Sequence, residues 1–206
     1  MGARIDQAVV PGVFSLDGQD FYVDNNVWLV GDDDEVLVID APHDAAPILE
    51  AIGGRRVTAI VLTHGHNDHI TAAVALREAT GAPIWFNPAD RVLWDMVYGE
   101  VHPSAVPDED LTEGTRFTVA GTTLTALHTP GHSPGSTCLH APDLATVFTG
   151  DTLFCGGPGA TGRSFSDHPT IVSSIRSRLL TLHGDTVVRT GHGEDTTIAA
   201  EMRNVH

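Results

Sequence analysis

Six consecutive residues, His64-Gly65-His66-Asn67-Asp68-His69, constrain this chain more than any other stretch of it. Three imidazoles and a carboxylate in one turn are polar, metal-seeking groups with no packing role. Ahead of them, Val57 to Thr63 is a short apolar run rich in β-branched residues, which predicts a buried strand. Behind them, Ile70 to Thr80 predicts a helix ended by Gly81 and Pro83. The cluster therefore falls on a strand-to-helix turn, where a rigid scaffold can hold side chains around an ion. Imidazole nitrogen and carboxylate oxygen suit zinc and, less selectively, iron or manganese. A solvated His-rich turn would account for two histidines. It does not account for His-x-His-x-Asp-His between a buried strand and a helix.

Three later positions supply what such a site would lack. His132 lies in Thr129-Pro130-Gly131-His132-Ser133-Pro134-Gly135-Ser136, Asp151 in Thr149-Gly150-Asp151-Thr152-Leu153-Phe154, and His192 in Thr190-Gly191-His192-Gly193. Each follows an apolar or β-branched run and has glycine beside it, where backbone can turn sharply and approach a ligand closely. Together with the hexapeptide, these motifs resemble those of the metallo-β-lactamase-fold hydrolases, in the same order, from about Pro11 to Thr197. The resemblance implies an α/β (α+β) fold: a four-layer αββα sandwich of two mixed β-sheets flanked by helices, with metal at the sheets' common edge. It also implies two Zn2+ per chain, with iron or manganese as alternatives. His64, His66 and His132 would hold the first ion, and Asp68, His69 and His192 the second. Asp151 would bridge both together with a hydroxide, the nucleophile of such sites. Asp40, closing Leu37-Val38-Ile39-Asp40-Ala41-Pro42, is the candidate to fix the tautomer of a ligand imidazole.

Composition narrows the setting. At 206 residues and 41% hydrophobic, one folded domain spanning 1–206 is expected, in two similar halves of about 1–105 and 106–206. No apolar run is long enough for a membrane span, and Met1 to Asp6 lacks the apolar core of an export signal. Two cysteines give no disulfide framework, so a cytoplasmic setting is expected. Net charge is −16 and all eleven basic residues are arginine. Nucleic-acid binding needs clustered cations, and Arg55-Arg56 is the only basic pair, explained as solvated helix-end charge. The expected partner is a small molecule, with no nucleic acid and no membrane.

The first half predicts strands at Val13–Leu16, Phe21–Val23, Val27–Val30, Val36–Ile39 and Val57–Thr63. Helices are expected near Ala45–Ile52, after His69 and at Ala89–Tyr98, with a further strand at Ile84–Phe86 and a connector over Gly99 to Asp110. The second half predicts strands at Arg116–Val119, Thr122–Leu127, Ser136–His140, Ala145–Phe148 and Thr186–Arg189, and a helix at Pro169–Leu182.

Fold does not fix chemistry. The main class of zinc β-lactamases places cysteine where this chain has Asp151. Gly150-Asp151-Thr152-Leu153-Phe154 followed by Gly162-Arg163-Ser164 is instead similar to the glyoxalase II and persulfide dioxygenase group. That similarity implies a zinc thioester hydrolase acting on an acylated low-molecular-weight thiol, with Arg163 and Phe154 as substrate contacts and Asp68 orienting water or accepting its proton. A leaving thiolate, with a conjugate-acid pKa of about 8.5, needs little acid assistance. The alternatives are a mononuclear-iron persulfide dioxygenase using His64, His132 and Asp151, and a lactone or ester hydrolase. A metal-binding domain without chemistry is disfavoured, because the ligand set is complete and leaves room for substrate. His43, His102, His140, His183 and His206 are expected to be ordinary loop histidines. His128 and His168 lie near the site loops in sequence, and Cys155 is expected to be a small buried thiol.

Overall fold

A computed structural model describes residues 2–205. The chain opens with β1 (Arg4–Leu16) and β2 (Gln19–Gly31), two antiparallel arms joined by Asp17-Gly18. Both turn residues have positive φ, 54° and 71°, the two-residue turn that an Asp-Gly pair favours. Three short strands were expected here. The hairpin is longer because antiparallel pairing also takes in the polar-rich residues 4–7 and Asp24-Asn25-Asn26, which lack the apolar alternation on which strand prediction depends.

There follow β3 (Glu35–Ile39), α1 (Ala45–Ile52), β4 (Arg56–Val61), α2 (Asn67–Ile70), α3 (Ala73–Thr80), β5 (Ile84–Phe86), α4 (Arg91–Tyr98) and β6 (Glu109–Asp110). Strands β1 to β6 form one sheet in chain order, antiparallel through β3 and parallel from there. The second sheet has the order β14-β13-β10-β9-β8-β7. Its strands are β7 (Arg116–Val119), β8 (Thr122–His128), β9 (Thr137–Ala141), β10 (Thr146–Gly150), β13 (Val187–Thr190) and β14 (Thr196–Thr197). Only β10 and β13 pair in parallel there. A small hairpin, β11 (Leu153–Phe154) with β12 (Gly157–Pro158), precedes α5 (His168–Ser174), and α6 (Ile198–Glu201) lies near the C-terminus.

Successive side chains in a strand point to opposite faces, so a strand buried on both sides reads as one apolar run. Leu29, Val38 and Ile60 pack outward against Ile48 of α1, Leu76 of α3 and Trp94 of α4. Their neighbours Val30, Leu37 and Val61 face inward, meeting Val119, Leu124, Leu139 and Phe148 of the second sheet. On that sheet's far side Cys138, Val147 and Val188 pack against Ile171 and Ile175 in the α5 region. Two mixed sheets flanked by helices make the four-layer αββα arrangement.

Three local expectations need correction. The helix expected over Ile70–Thr80 is broken at Thr71-Ala72, because the Ala72 N–H donates to the Ala41 carbonyl (2.9 Å) and Ala41 N–H to that of His69 (2.9 Å). The loop carrying Asp40 is thereby sewn to the ligand-bearing turn. The helix expected to reach Leu182 is α-helical only to Ser174 and continues as a wider π-type turn over Ile175–Leu179. Arg55 is not solvated: its guanidinium donates to the Ala51 and Ile52 carbonyls (both 2.8 Å) and pairs with Asp6 (2.8 Å), capping the end of α1.

Candidate metal centre

Every site residue named from the sequence lies at one edge of the sandwich. Asp40 follows β3, the His64–His69 turn follows β4, Asp151 follows β10 and His192 follows β13. Because β3 and β4 run parallel, as do β10 and β13, their ends point to the same edge. His132 reaches it from the β8–β9 loop. The two sheets are pinned there by Asn26 N–H donating to the Gly191 carbonyl at 2.8 Å. Gly191 permits the approach: a Cβ at that position would lie 2.3 Å from Asp151 Oδ1.

The ligand atoms converge as two groups. Nδ1 of His66 lies 3.0 Å from Nε2 of His64 and 3.0 Å from Nε2 of His132. Nε2 of His192 lies 3.2 Å from Nε2 of His69 and 3.3 Å from Asp68 Oδ2. Asp151 spans the groups, with Oδ1 3.3 Å from His69 Nε2 and Oδ2 3.5 Å from His192 Nε2 and 3.6 Å from His132 Nε2. Tetrahedral zinc, with bonds of about 2.0–2.1 Å, sets its ligand atoms about 3.3 Å apart, so this spacing fits an ion in each group.

The protonation pattern carries the same message. His132 Nδ1 is 2.9 Å from the Ala160 carbonyl, His192 Nδ1 2.8 Å from that of Asp24, and His69 Nδ1 2.9 Å from Asp40 Oδ2. Each donates there through Nδ1, which turns Nε2 into the cluster, where it can bind an ion once free of a proton. Asp40 also accepts the Thr63 N–H (2.7 Å) and hydroxyl (2.9 Å), and that hydroxyl oxygen faces His64 Nδ1 at 3.1 Å. Nitrogens and carboxylate oxygens converging at this distance need a proton or a metal cation among them. His66 Nε2, Asp68 Oδ1 and Asp151 Oδ1 are buried with no hydrogen-bond partner. Convergent nitrogens and orphaned carboxylate oxygens are the donor set of a metal centre.

The electrostatics of the bare cluster are polarised. Burial, together with the neighbouring imidazoles, holds His64 well below its ordinary pKa and lowers His66 to about 3. Burial also opposes charge on His69, but Asp151, Asp68 and Asp40 outweigh it and raise that histidine well above its usual value. His192 is raised in the same way, by Asp151 and Asp68 against burial. Burial pushes Asp151 upward, yet His69, His192 and His132 hold it well below the carboxylate range.

Three contributors were invisible in the sequence. Asn25 is buried on β2, its Nδ2 within 3.3–3.4 Å of Asp68 Oδ2, His69 Nε2 and His192 Nε2. His43, expected to be an ordinary loop residue, faces Asn25 Oδ1 at 2.8 Å and so supports the cluster at one remove. Asp90, fully buried beneath the site, accepts from Gly65 N (2.8 Å), Ser133 Oγ (2.6 Å) and Gly135 N (2.5 Å), clamping the His64–His66 turn to the His132 loop. Burial raises its pKa against those donors. None of the three belongs to a motif with ligand spacing, so no local signal marks them.

Five of the clustered side chains form the floor of a cavity of about 420 Å³, within the usual range for small-molecule sites. His66, Asp68, His132, Asp151 and His192 are accessible from it, and Phe14, Phe21, Phe154 and Arg163 are among its walls. His128 and His168 do not line it: His128 lies against the Pro134 carbonyl (2.9 Å) and His168 against Thr161 (3.3 Å). Cys155 is also not the buried thiol expected. It is exposed at the tip of the small hairpin, and the buried cysteine is Cys138 in the second sheet.

A two-sheet sandwich with a His- and Asp-rich cluster at its open edge defines a metal-binding protein of the hydrolase type. The chain belongs to the metallo-β-lactamase superfamily, which it matches over residues 22–192. It is 34% identical over 191 residues to hydroxyacylglutathione hydrolase GloC of Haemophilus influenzae, covering 87% of this chain and 90% of that one. Among solved structures it superposes on the BLEG-1 B3 metallo-β-lactamase with a TM-score of 0.79 at 28% identity, covering 95% and 98% of the two chains. It superposes on TTHA1623 in a di-iron-bound form with a TM-score of 0.78 at 31% identity, again covering 95% and 98%. Among the described residues, no helix is long and apolar enough to cross a membrane.

Proposed function

We propose that this protein is a dinuclear metallo-hydrolase of the glyoxalase II type, cleaving the thioester of an acylated small thiol, with zinc as its metal. The observation that carries the reading is Asp151, whose two carboxylate oxygens reach both ligand groups at the floor of an open cavity. His64, His66 and His132 would hold one ion, Asp68, His69 and His192 the other, with Asp151 shared. Bound metal supplies a water acidified to near neutrality and a Lewis acid for the scissile carbonyl.

The protein's own groups account for the rest. Asp68 would orient the attacking water or take its proton, a reading supported by its Oδ1, which is buried without a partner. Asp40 and the carbonyls of Ala160 and Asp24 hold the imidazoles in the tautomers that the site needs. Phe14, Phe21 and Phe154 form an apolar wall that shields the bound acyl group from water. The cavity lining has no lysine, and its one tyrosine, Tyr22, is almost fully exposed, so no buried acid other than the candidate ligands faces the departing group, which suits a thiolate of low basicity. The 34% identity to a hydroxyacylglutathione hydrolase supports the substrate class, and the free thiols Cys138 and Cys155 suit a reducing, cytoplasmic setting.

The test is a panel of esters, lactones and small-thiol thioesters assayed with metal-loaded and chelated protein. Thioester cleavage that disappears with chelation and returns with zinc is expected. Turnover indifferent to chelation would overturn the metal mechanism, and oxygen uptake on a persulfide substrate would favour iron oxygenase chemistry instead.

A further inference from the structure

Asn25 lies on β2, fully buried, with Nδ2 3.3 Å from Asp68 Oδ2, 3.3 Å from His69 Nε2 and 3.4 Å from His192 Nε2. These are the donor atoms that one ligand group offers to an ion. A neutral amide nitrogen presents hydrogens, so Asn25 acts here as a donor and not as a ligand through Nδ2. With an ion bound, each imidazole nitrogen gives it its single lone pair, whereas a carboxylate oxygen keeps another for a hydrogen bond. The amide N–H therefore belongs to Asp68 Oδ2. Asp68 is held by that oxygen, and its Oδ1 is left buried without a partner.

An asparagine amide has almost the same shape turned over, so a second contact has to set which end faces Asp68. His43 supplies it, with Nε2 2.8 Å from Asn25 Oδ1. Burial lowers the His43 pKa, so near neutral pH its ring is uncharged and carries one proton. Held on Nε2, that proton is donated to Oδ1 and keeps Nδ2 toward Asp68. The ring is seated on the first strand: a Cβ at Gly12 would lie 2.2 Å from His43 Cγ and Nδ1. The His43 backbone has φ 48°, a left-handed conformation uncommon for a residue with a Cβ and one that surrounding contacts have to hold. Gly12, His43 and Asn25 thus make one path from the hairpin to Asp68.

We infer that His43 and Asn25 are positioning residues for the ion held by Asp68, His69 and His192. His43 sets the direction of the Asn25 amide, and the amide sets Asp68, with Oδ2 turned to the ion and Oδ1 to the attacking water. Neither residue lines the cavity, so both act through Asp68 and not on substrate. The effect on turnover rests on the thioesterase reading; the effect on metal affinity does not.

The experiment compares the full-length wild type with Asn25→Leu, His43→Leu, His43→Gln and Gly12→Ala. Competition between zinc sites and a chromophoric chelator reads the affinity for each ion. Asn25→Leu and His43→Leu should weaken the second ion by ~10- to 100-fold, the usual effect of losing a group that orients a ligand, and the first by less than ~3-fold. His43→Gln, which keeps an N–H donor, should recover part of the loss. Gly12→Ala displaces the His43 ring without removing a hydrogen-bonding group, so it should match His43→Leu, and the double variant should be no worse than either alone. At saturating zinc, thioester kcat should fall at least ~10-fold in Asn25→Leu and His43→Leu, with KM within ~2-fold of wild type.

Long-range proton–nitrogen NMR of the zinc-loaded protein, with His43 assigned from its loss in His43→Gln, reads the tautomer directly. Nε2 should carry the proton and Nδ1 should be bare. A bare Nε2 would mean that the amide is turned over with its oxygen toward the ion, and would refute the inference. So would a second-ion affinity within ~3-fold of wild type in His43→Leu and Gly12→Ala, both at partly exposed positions that decide the point even if Asn25→Leu does not fold. If no thioester is hydrolysed but the second ion weakens as stated, the hydrolase reading fails and the positioning role stands. If thioesters are hydrolysed while affinities and tautomer are unmoved, the reverse holds. A wild type that takes up no second ion refutes both.

Discussion

Replacing Asp151 by Asn preserves shape and removes the charge that the two ligand groups share. Its oxygens lie 3.3 to 3.6 Å from His69, His192 and His132, so the loss acts on both groups. Two unit charges about 4 Å apart interact by about 4 kcal/mol at an effective dielectric near 20, and a dication doubles the figure. Relaxation and solvent return much of this, leaving a loss of at least ~3 kcal/mol, or ~10²-fold in affinity for each ion. An opposing effect accompanies it. Asp151 is a main reason that His69 and His192 hold protons above their usual pKa, so without it protons compete less well with metal. A dication carries twice the charge of a proton, and the net effect is therefore weaker binding.

The two contributions separate with pH. Proton competition burdens the wild type more at low pH, so the ratio of wild-type to variant affinity should grow as pH rises from 6 to 9. Competition with a chromophoric chelator measures affinity, and thioester turnover should fall by at least ~10²-fold in parallel. An Asp151→Asn protein that keeps both ions at wild-type affinity with near-normal turnover would refute the bridging role.

Asp68→Asn should weaken the ion held with His69 and His192 and leave the other largely bound, as metal counting across a chelator titration will show. Acidification should release that same ion first. Raised pKa values on His69 and His192 bring proton competition in above the usual imidazole range, whereas the lowered His64 and His66 resist it until lower pH. Asp90→Ala strands three donors beneath the site and should cost about 3–5 kcal/mol, lowering Tm by roughly 10 °C in a chain of this size. Cys155→Ser and His128→Gln should change turnover by less than ~2-fold, since neither side chain lines the cavity.

The seven candidate ligand positions were legible as one cluster because metal-binding chemistry concentrates rare residue types at strand ends beside glycine, and that pattern survives without structural context. The central strands were legible because burial on both faces makes Val27–Val30 and Val36–Ile39 continuously apolar and leaves Thr58 as the one polar residue over 57–61. What escaped depends on contacts remote in sequence. Asn25 reaches the cluster from 43 residues before Asp68 and 167 before His192, and Asp90 clamps loops 25 and 43 residues away from it at Gly65 and Ser133. The break at Thr71-Ala72 arises from a carbonyl at Ala41, which no helix propensity encodes. The hairpin's reach over the cavity was hidden because exposed arms need no apolar period. It brings Phe14 and Phe21 to Arg163, some 140 residues later in the chain.

The most direct test of the account is turnover as a function of metal bound per chain. Protein stripped by chelation and titrated with zinc should be analysed at each step by native mass spectrometry alongside hydrolysis of a small-thiol thioester. Filling of both ligand groups predicts two ions per chain at saturation, with activity rising mainly with the second. Full activity at one ion, with the second neither binding nor contributing, would contradict a centre bridged by Asp151.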